Sequence, residues 1–290
     1  MQPIYLHKNT KSDRQSFLIR HVQVPHLYNI WHYHRELELM YVIKSSGTRF
    51  VGDSIQPFFD GDMVLVGSNV PHFWQNEEQY FEKREGLYGE VILLQFLDDF
   101  LGEGLLLPEM LHIRRLFDLA AHGLQFTGEA KARASDLLHA IAADTDKNKV
   151  LELLGLLDLL ATSGEYRLLS SIGYQHQLPA KPSRRIQHVC EHLLQHYRQP
   201  IALAEVAKIA NMSEKAFCRF FKKSTQKTLV QFITELRVSH ACKLLFSQDH
   251  AIAQICFESG FNNLSNFNRV FKKITGQTPG QYQQAMAAGK

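Results

Sequence analysis

Two hydrophobic periods divide this chain. Between Ser16 and Phe96 apolar residues come in short runs, SFLIRHV, ELELMYVI, TRFVGD, MVLV and YGEVILLQF. Ser46-Gly47, Gly52-Asp53, Gly61-Asp62 and Val70-Pro71 punctuate them. Short β-rich runs with regular turn signals predict a β-sandwich or small barrel. The first fifteen residues are polar and unpatterned and read as an arm. Beyond residue 97 the period changes to 3.6. Pro108 to Ala121 places Met110, Ile113, Phe117 and Ala121 at helical spacing, with Pro108 in the first turn and Gly123 as the stop. Further helices are predicted over 128–143 and 147–161. The last of these is apolar nearly all round, so it must be covered on more than one side. Its cover is either the chain's own barrel and helices or a second copy of the chain. Residues 170–185 have no periodicity, contain Gly173, Pro179 and Pro182, and read as a linker.

The helical period resumes at Arg184 and runs to the C-terminus. Ile186, Val189, Cys190, Leu193, Leu194 and Tyr197 share one face of the first helix, with His188, His192 and His196 opposite. No fourth ligand accompanies that histidine row, so it reads as a solvated or DNA-facing stripe. Next, 202–210 forms a short helix. Asn211 is suited to a left-handed turn and Ser213 to an N-cap, and a second helix covers 214–224. Helix, tight turn, helix is the helix-turn-helix pattern. A long helix spans 229–246, and then the unit recurs as AIAQICFE, a turn at Gly260, an N-cap at Asn263 and a helix to Lys273. A short helix from Pro279 closes the chain. FCRFFKKSTQKT (217–228) and FNRVFKKITGQT (267–278) are identical at seven of twelve positions at an offset of 50 residues. Two copies of one unit explain this. The 18-residue connecting helix is roughly 27 Å long at 1.5 Å per residue. Successive major grooves on one face of B-DNA are about 34 Å apart, so one chain could present two helices to adjacent groove segments.

Charge sharpens this division. The chain of 290 residues has a formal net charge of only +3, but residues 181–290 carry 16 Lys/Arg against 6 Asp/Glu, and residues 1–180 carry 16 against 23. A basic C-terminal part on an acidic remainder suggests that one part alone meets a polyanion. Hydrophobic content of 45% is a globular value. The cysteines, Cys190, Cys218, Cys242 and Cys256, form no CxxC pair and read as small buried apolar residues in a reducing compartment. No secretory signal or membrane-length apolar run is visible, so a soluble, cytoplasmic protein without a membrane partner is expected.

Candidate chemistry sits in WHYHRELE, where His32, His34, Glu36 and Glu38 stand at period two and share one face if the segment is a strand. GDMVLVGSNVPHFWQN adds His72. His32, His34, Glu38 and His72 make a first shell suited to Zn, Fe, Ni or Mn. The competing reading is a polar pocket without metal. His32-x-His34-x3-Glu38, then Gly61 and His72-x3-Asn76, resemble the two motifs of the cupin fold. That resemblance implies a barrel with an effector pocket lined by Trp31, His32, His34, Glu38, His72 and Trp74. A divalent metal there is the one cofactor these residues suggest. Phe50 and Phe73 are further aromatics near the same mouth.

ANMSEKAFCRFFKK, ELRVSHACKLL, IAQICFESGFNNLSNFNRVFKKITG and TPGQY closely resemble the AraC family of bacterial transcription regulators over about 100 residues. The family pairs this domain with a cupin-like effector domain. The resemblance implies promoter binding by recognition helices at 213–224 and 263–273. Their base-facing positions would be Lys215, Cys218 and Arg219 on the first, and Leu264, Ser265, Asn266 and Arg269 on the second. Lys222, Lys223, Lys272 and Lys273 would hold phosphate. Gln226 departs from the family's usual Gly, Cys218 is a poor base reader, and Gln283 replaces a frequent closing Arg. The expected fold is α+β and multidomain, with a cupin-like barrel over 1–97 including the arm. A helical association segment (98–169), a linker (170–183) and an all-α double helix-turn-helix domain (184–290) follow. The expected partners are double-stranded DNA, a small-molecule effector such as a carbohydrate, a second copy through helices in 108–161, and RNA polymerase. The expected role is regulation rather than catalysis. A metal-dependent cupin enzyme fused to a DNA-binding domain is the alternative, and a nucleoid-type binder without an effector is a third reading.

Overall fold

The computed structural model describes residues 4–6, 16–82, 86–143, 149–171, 174, 184–247 and 250–288. The linker expected at 170–183 and the arm at 1–15 fall largely outside them. Two compact units are present, an N-terminal one (Pro3–Ser54 with Phe58–Leu178) and a C-terminal one within Pro179–Lys290.

The N-terminal unit contains β1 (Ile4–Tyr5), β2 (Phe17–Val24), β3 (His32–Tyr33), β4 (Leu37–Lys44), β5 (Gly47–Val51), β6 (Ser54–Phe58), β7 (Met63–Val66) and β8 (His72–Asn76). The short helix α1 (Glu78–Phe81), β9 (Gly89–Phe96), α2 (Leu111–Ala120), β10 (Leu124–Phe126), α3 (Gly128–Ala143), α4 (Lys149–Thr162) and β11 (Tyr166–Leu168) follow. The expected barrel is not closed. Its strands separate into a five-stranded sheet, in the order β1-β3-β8-β5-β6, and a six-stranded sheet, in the order β11-β10-β7-β4-β9-β2. Inner faces meet through Met40, Val42, Val64, Val66 and Val91 of the larger sheet and Val51, Phe58 and Trp74 of the smaller.

The larger sheet is buried on both faces. Its outward row, Leu37, Leu39, Met63, Leu65, Ile92, Leu94 and Phe96, packs with Ile113 and Leu116 of α2, Ala134, Leu138 and Ile141 of α3, and Leu153, Leu156, Leu157 and Leu160 of α4. This is why ELELMYVI and YGEVILLQF lack clean alternation: both sides of those strands meet apolar neighbours. The apolar α4 is covered within the chain along that face, while Leu151 is 69% exposed. Two expectations for the middle segment need revision. Pro108–Met110 is a 3-10 turn that precedes α2. The LQF after Gly123 is β10, which pairs with β7 and β11, so the segment beyond residue 97 contributes two strands to the larger sheet. Three residues carry too little periodicity to reveal a strand.

The C-terminal unit is entirely helical among the described residues: α5 (Arg184–His196), α6 (Leu203–Ile209), α7 (Glu214–Thr225), α8 (Leu229–Ser247), α9 (Ile252–Glu258), α10 (Leu264–Thr275) and α11 (Pro279–Ala288). Helix α8 supplies apolar residues to both halves. Phe232 at its start meets Phe221 edge-on, with centroids 5.5 Å apart. Val238, Ala241, Cys242 and Leu245 toward its end pack with Ile255, Cys256, Phe267 and Phe271. Gly260 (φ 85°) makes the turn between α9 and α10. A Cβ there would lie 2.6 Å from the backbone oxygen of Arg198, so glycine is required for both conformation and space.

Candidate functional site

The two helix-turn-helix copies repeat in their hydrogen bonds as well as in their letters. Thr225 Oγ1 donates to Phe221 O at 2.9 Å and Thr275 Oγ1 to Phe271 O at 2.8 Å. After each helix a threonine and a glutamine cap the next one reciprocally. Thr228 N donates to Gln231 Oε1 at 2.8 Å and Gln231 N to Thr228 Oγ1 at 3.2 Å. Thr278 and Gln281 do the same at 3.0 and 3.3 Å. The threonines shared by the copies therefore terminate each reading helix and start the helix after it. Both reading helices end on a left-handed residue, Gln226 (φ 58°) and Gly276 (φ 79°). Asn211 (φ 52°) makes the first inter-helix turn.

The copies differ at their N-termini. Asn263 caps α10 by accepting from Asn266 N at 2.9 Å. Ser213 occupies the same position on α7 with extended backbone but makes no side-chain cap bond. Phe217, Phe221, Phe267 and Phe271 are buried, and Phe220 is half-buried. The opposite side of each helix faces solvent: Lys215, Cys218, Arg219, Lys222 and Lys223 on α7, and Leu264, Ser265, Asn266, Arg269, Lys272 and Lys273 on α10 are all exposed. Cys218 therefore departs from the buried role expected of the cysteines, whereas Cys190, Cys242 and Cys256 are buried. Arg269 Nη2 donates to Asn266 Oδ1 at 2.9 Å, which orients the guanidinium along the helix. Not every cation of this unit is available to a ligand. Arg237 donates to Tyr197 O at 2.7 Å and Gln199 O at 2.9 Å, closing the chain after α5, and Lys227 pairs with Glu235 at 2.7 Å. In the histidine row, His192 and His196 stack at 4.3 Å, and His192 Nε2 lies 3.0 Å from Glu205 Oε1.

The second site lies between the sheets. The period-two reading placed His32, His34, Glu36 and Glu38 on one strand. Instead, the chain crosses from β3 in one sheet to β4 in the other, so His32 and Glu38 face each other across the interior. His72 is the register partner of His32. Side-chain donor atoms of His32, His34, Glu38 and His72 all lie within 4.8 Å of one another, and all four residues are buried. Each imidazole is oriented by its Nδ1: His32 to Ile30 O at 2.7 Å, His34 to Glu36 O at 3.0 Å, and His72 to Val70 O at 2.7 Å. A carbonyl accepts only, so each Nδ1 carries the proton and each Nε2 has its lone pair available. His34 Nε2 nevertheless lies 3.0 Å from Glu38 Oε2, and His72 Nε2 lies 3.5 Å from Glu38 Oε1. Lone pairs meeting a carboxylate at these distances call for a cation, either a second proton or a metal. The donor set of three imidazoles and one carboxylate, each held from behind, fits a divalent metal. Burial, then the neighbouring His72, lowers the His32 pKa to about 2, which keeps that ring neutral and able to ligate. Gln95, the cross-strand partner of Glu38, donates to Glu38 Oε2 at 2.5 Å. Sequence reasoning missed Gln95, and its place opposite Glu38 becomes visible only once the β4–β9 register is known.

The remaining pocket candidates divide by strand parity. Trp74, two residues from His72, shares the interior face and lies edge-on to that ring at 5.8 Å. Phe73 points the other way. It stacks on Phe50 at 4.2 Å with Trp31 at 5.7 Å, so Trp31, Phe50 and Phe73 form a separate aromatic cluster. Asn76 ties loops together, accepting from Leu27 N and donating to Ser45 Oγ, both at 2.7 Å.

Known proteins resemble this chain chiefly over its C-terminal unit. Residues 206–285 match the family model described as a helix-turn-helix domain. An uncharacterized HTH-type transcriptional regulator of Staphylococcus aureus is 30% identical over 99 residues, covering 34% of this chain and 13% of that protein. The MmsAB operon regulatory protein of Pseudomonas aeruginosa is 28% identical over 99 residues, 34% of this chain and 32% of its own length. The match thus spans a third or less of either relative. Among solved structures, the DNA-binding domain of AdpA in complex with a target DNA is similar at 24% identity and TM-score 0.35, over 37% of this chain and 96% of that one. ToxT from Vibrio cholerae, bound to an unsaturated fatty acid, is similar at 16% identity and TM-score 0.38, over 94% and 96%. Residues 206–285 of the C-terminal unit are thus a helix-turn-helix domain, similar over this stretch to domains of transcription regulators.

Proposed function

We propose that this chain is a sequence-specific transcription regulator whose N-terminal unit senses a small molecule. In this reading α7 and α10 enter successive major-groove segments. Lys215, Cys218 and Arg219 face bases on the first, and Leu264, Ser265, Asn266 and Arg269 on the second. Lys222, Lys223, Lys272 and Lys273 neutralise phosphates. The observation that carries it is the duplication itself: two helices with the same termination and capping bonds, each presenting an exposed basic face. Fluorescence anisotropy of the full chain on DNA selected from a random pool tests it. Binding that weakens steeply with salt is expected, and binding that is absent or insensitive to salt overturns it.

In the sensor reading, the interior between the sheets receives the effector, with His32, His34, Glu38, His72 and Trp74 facing it. Two copies associate through helices within 108–161, and the bound dimer engages RNA polymerase. The imidazole arrangement also favours a second reading, a metal-dependent cupin enzyme joined to a DNA-binding domain. There the three Nε2 atoms and the Glu38 carboxylate would hold a divalent metal that supplies Lewis-acid chemistry. Elemental analysis of the purified chain separates the readings. Stoichiometric metal that is lost in His32→Ala and His72→Ala favours the metal site, and turnover of a substrate by that loaded protein would make it an enzyme.

A further inference from the structure

The interior between the sheets contains a second polar group besides the histidine cluster. Arg49 on β5 and Trp74 on β8 are register partners, so their side chains leave the smaller sheet on the same face. That face is the inner one, because Trp74 packs with Val51, Met40, Val42, Val64 and Val66. Arg49 is 1% exposed and Trp74 is 3% exposed. Each retains one N–H group that no protein atom accepts: Arg49 Nη2 and Trp74 Nε1. The guanidinium is not free to turn. Its Nη1 donates to Asp62. The other Asp62 oxygen accepts from Gln125 Nε2 at 2.5 Å, and Gln125 Oε1 accepts from Arg167 Nε at 2.5 Å. Two buried donors on register partners of one inner face, one of them anchored through Asp62, make a site for an oxygen acceptor.

We propose that Arg49 and Trp74 are specificity-determining residues for the effector and take a neutral oxygen of it, a carbonyl, ether or hydroxyl, while its apolar body lies against Met40, Val42, Val64 and Val66. The proposal rests on the sensor reading of the N-terminal unit. Charge decides for a neutral group. The Arg49 cation is already matched by Asp62, so a carboxylate ligand would bury a further anion beside it without a counterion. An indole N–H carries no charge to offset one. The site lies along β8 from His72, so a ligand held here meets the histidine cluster at its other end.

The test uses the full chain labelled with 15N at its two tryptophans. Trp74→Phe identifies the Trp74 indole signal and keeps an aromatic ring in the core. Cyclohexanone is the neutral probe, cyclohexanecarboxylate the anionic one and cyclohexane the apolar control. The expected result is a downfield shift of the Trp74 Nε1–H signal with cyclohexanone alone. Its binding should loosen about fivefold in Trp74→Phe, the loss of one hydrogen bond. A similar loss is expected in the charge-balanced pair Arg49→Met with Asp62→Leu. A signal unmoved by saturating cyclohexanone, or moved by the carboxylate alone, overturns the proposal. Anisotropy on a selected operator duplex separates this failure from failure of the sensor reading. Operator affinity that responds to a small molecule while the Trp74 signal stays still leaves sensing intact and removes this subsite. A Trp74 shift by every ligand tried, with operator affinity never changing, leaves the acceptor site but overturns its role in effector recognition.

Discussion

Replacing Gln226 by glycine should stabilise the C-terminal unit. Gln226 ends α7 at φ 58° and ψ 9°, and its counterpart 50 residues on, Gly276, ends α10 at φ 79° and ψ −11°. A side chain in the left-handed region costs roughly 1–2 kcal/mol relative to glycine. Glycine returns about 0.5–1 kcal/mol of that through the greater freedom of the unfolded chain. Gln226 Nε2 also donates to Lys223 O at 3.3 Å, an exposed and long bond whose loss takes back a few tenths of a kcal/mol at most, about the low end of the usual range. The net expectation is a gain of about 0.5 kcal/mol. For a unit of this size that raises the midpoint by about 2–4 °C. The reciprocal change, Gly276→Gln, should cost a similar amount, and the exchange of both should nearly cancel, since the two sites share no partner. Both tryptophans, Trp31 and Trp74, lie in the N-terminal unit. Tryptophan fluorescence therefore follows that unit, and far-ultraviolet ellipticity adds the helical one. Thermal unfolding of the full chain read by both signals should move the ellipticity transition and leave the fluorescence transition in place. A neutral Gln226→Gly together with a neutral Gly276→Gln would refute the argument that these positions hold strained left-handed caps.

The other predictions concern DNA, assembly and pH. Arg269→Ala should weaken binding to the selected operator by about 1–3 kcal/mol and weaken random DNA less; equal losses on both in the anisotropy assay would reduce Arg269 to a phosphate contact. Lys272→Gln with Lys273→Gln should lower affinity on all sequences and reduce the slope of log affinity against log salt by about 2, and an unchanged slope would remove both from the interface. For the association proposed through helices within 108–161, Leu151→Lys should convert dimer to monomer in sedimentation without loss of helix content, because Leu151 is exposed within the chain; a persisting dimer would move the association surface elsewhere. His240 lies beside Tyr197, Lys243 and Arg198, and burial together with these two cations lowers its pKa from 6.5 to about 3. The folded chain then binds fewer protons than the unfolded chain below about pH 6.5, so this contribution is complete above that pH and is lost as pH falls toward 3. Between about pH 7.5 and 5.5 the loss is about 1.4 kcal/mol, and His240→Gln should flatten it in urea unfolding; an identical pH slope in the variant would show that His240 is not its source.

What the sequence reveals, and what it conceals, follows from how local each constraint is. The helix-turn-helix pair was legible because everything that defines it lies within a few residues: the threonine that closes a helix, the threonine and glutamine that cap the next, and the phenylalanines at helical spacing. Those contacts recur at a fixed offset, so a self-comparison of the chain finds them without any tertiary information. The interior of the N-terminal unit is set by pairings between distant segments, and there the sequence misleads in a specific way. WHYHRELE looks like one strand with four polar groups on one face. The chain in fact bends out of β3 and into β4, and the polar groups converge because they sit on opposing sheets. The same non-locality separates Trp31 from Trp74. Both flank the histidine motifs in sequence, yet strand parity sends Trp74 inward beside His72 and leaves Trp31 with Phe50 and Phe73.

Register also explains why the burial of Arg49 is not legible in the sequence. In TRFVGD it reads as an ordinary polar residue of an exposed strand face. Its burial is tolerable only because Asp62, thirteen residues on and beyond β6, meets it at the start of a strand of the other sheet, and because Gln125 and Arg167, on strands hidden inside the helical segment, complete the chain of hydrogen bonds behind Asp62. A buried ion pair of this kind is weak evidence for stability, since apolar residues of similar volume would often do as well. Under the sensor proposal, the pair is better accounted for by what the guanidinium can offer a ligand than by what it contributes to the fold. The charge-balanced Arg49→Met with Asp62→Leu variant should therefore fold with the same or a higher midpoint than the parent while losing discrimination for the neutral probe. A large loss of stability in that variant would mean that the pair serves the fold.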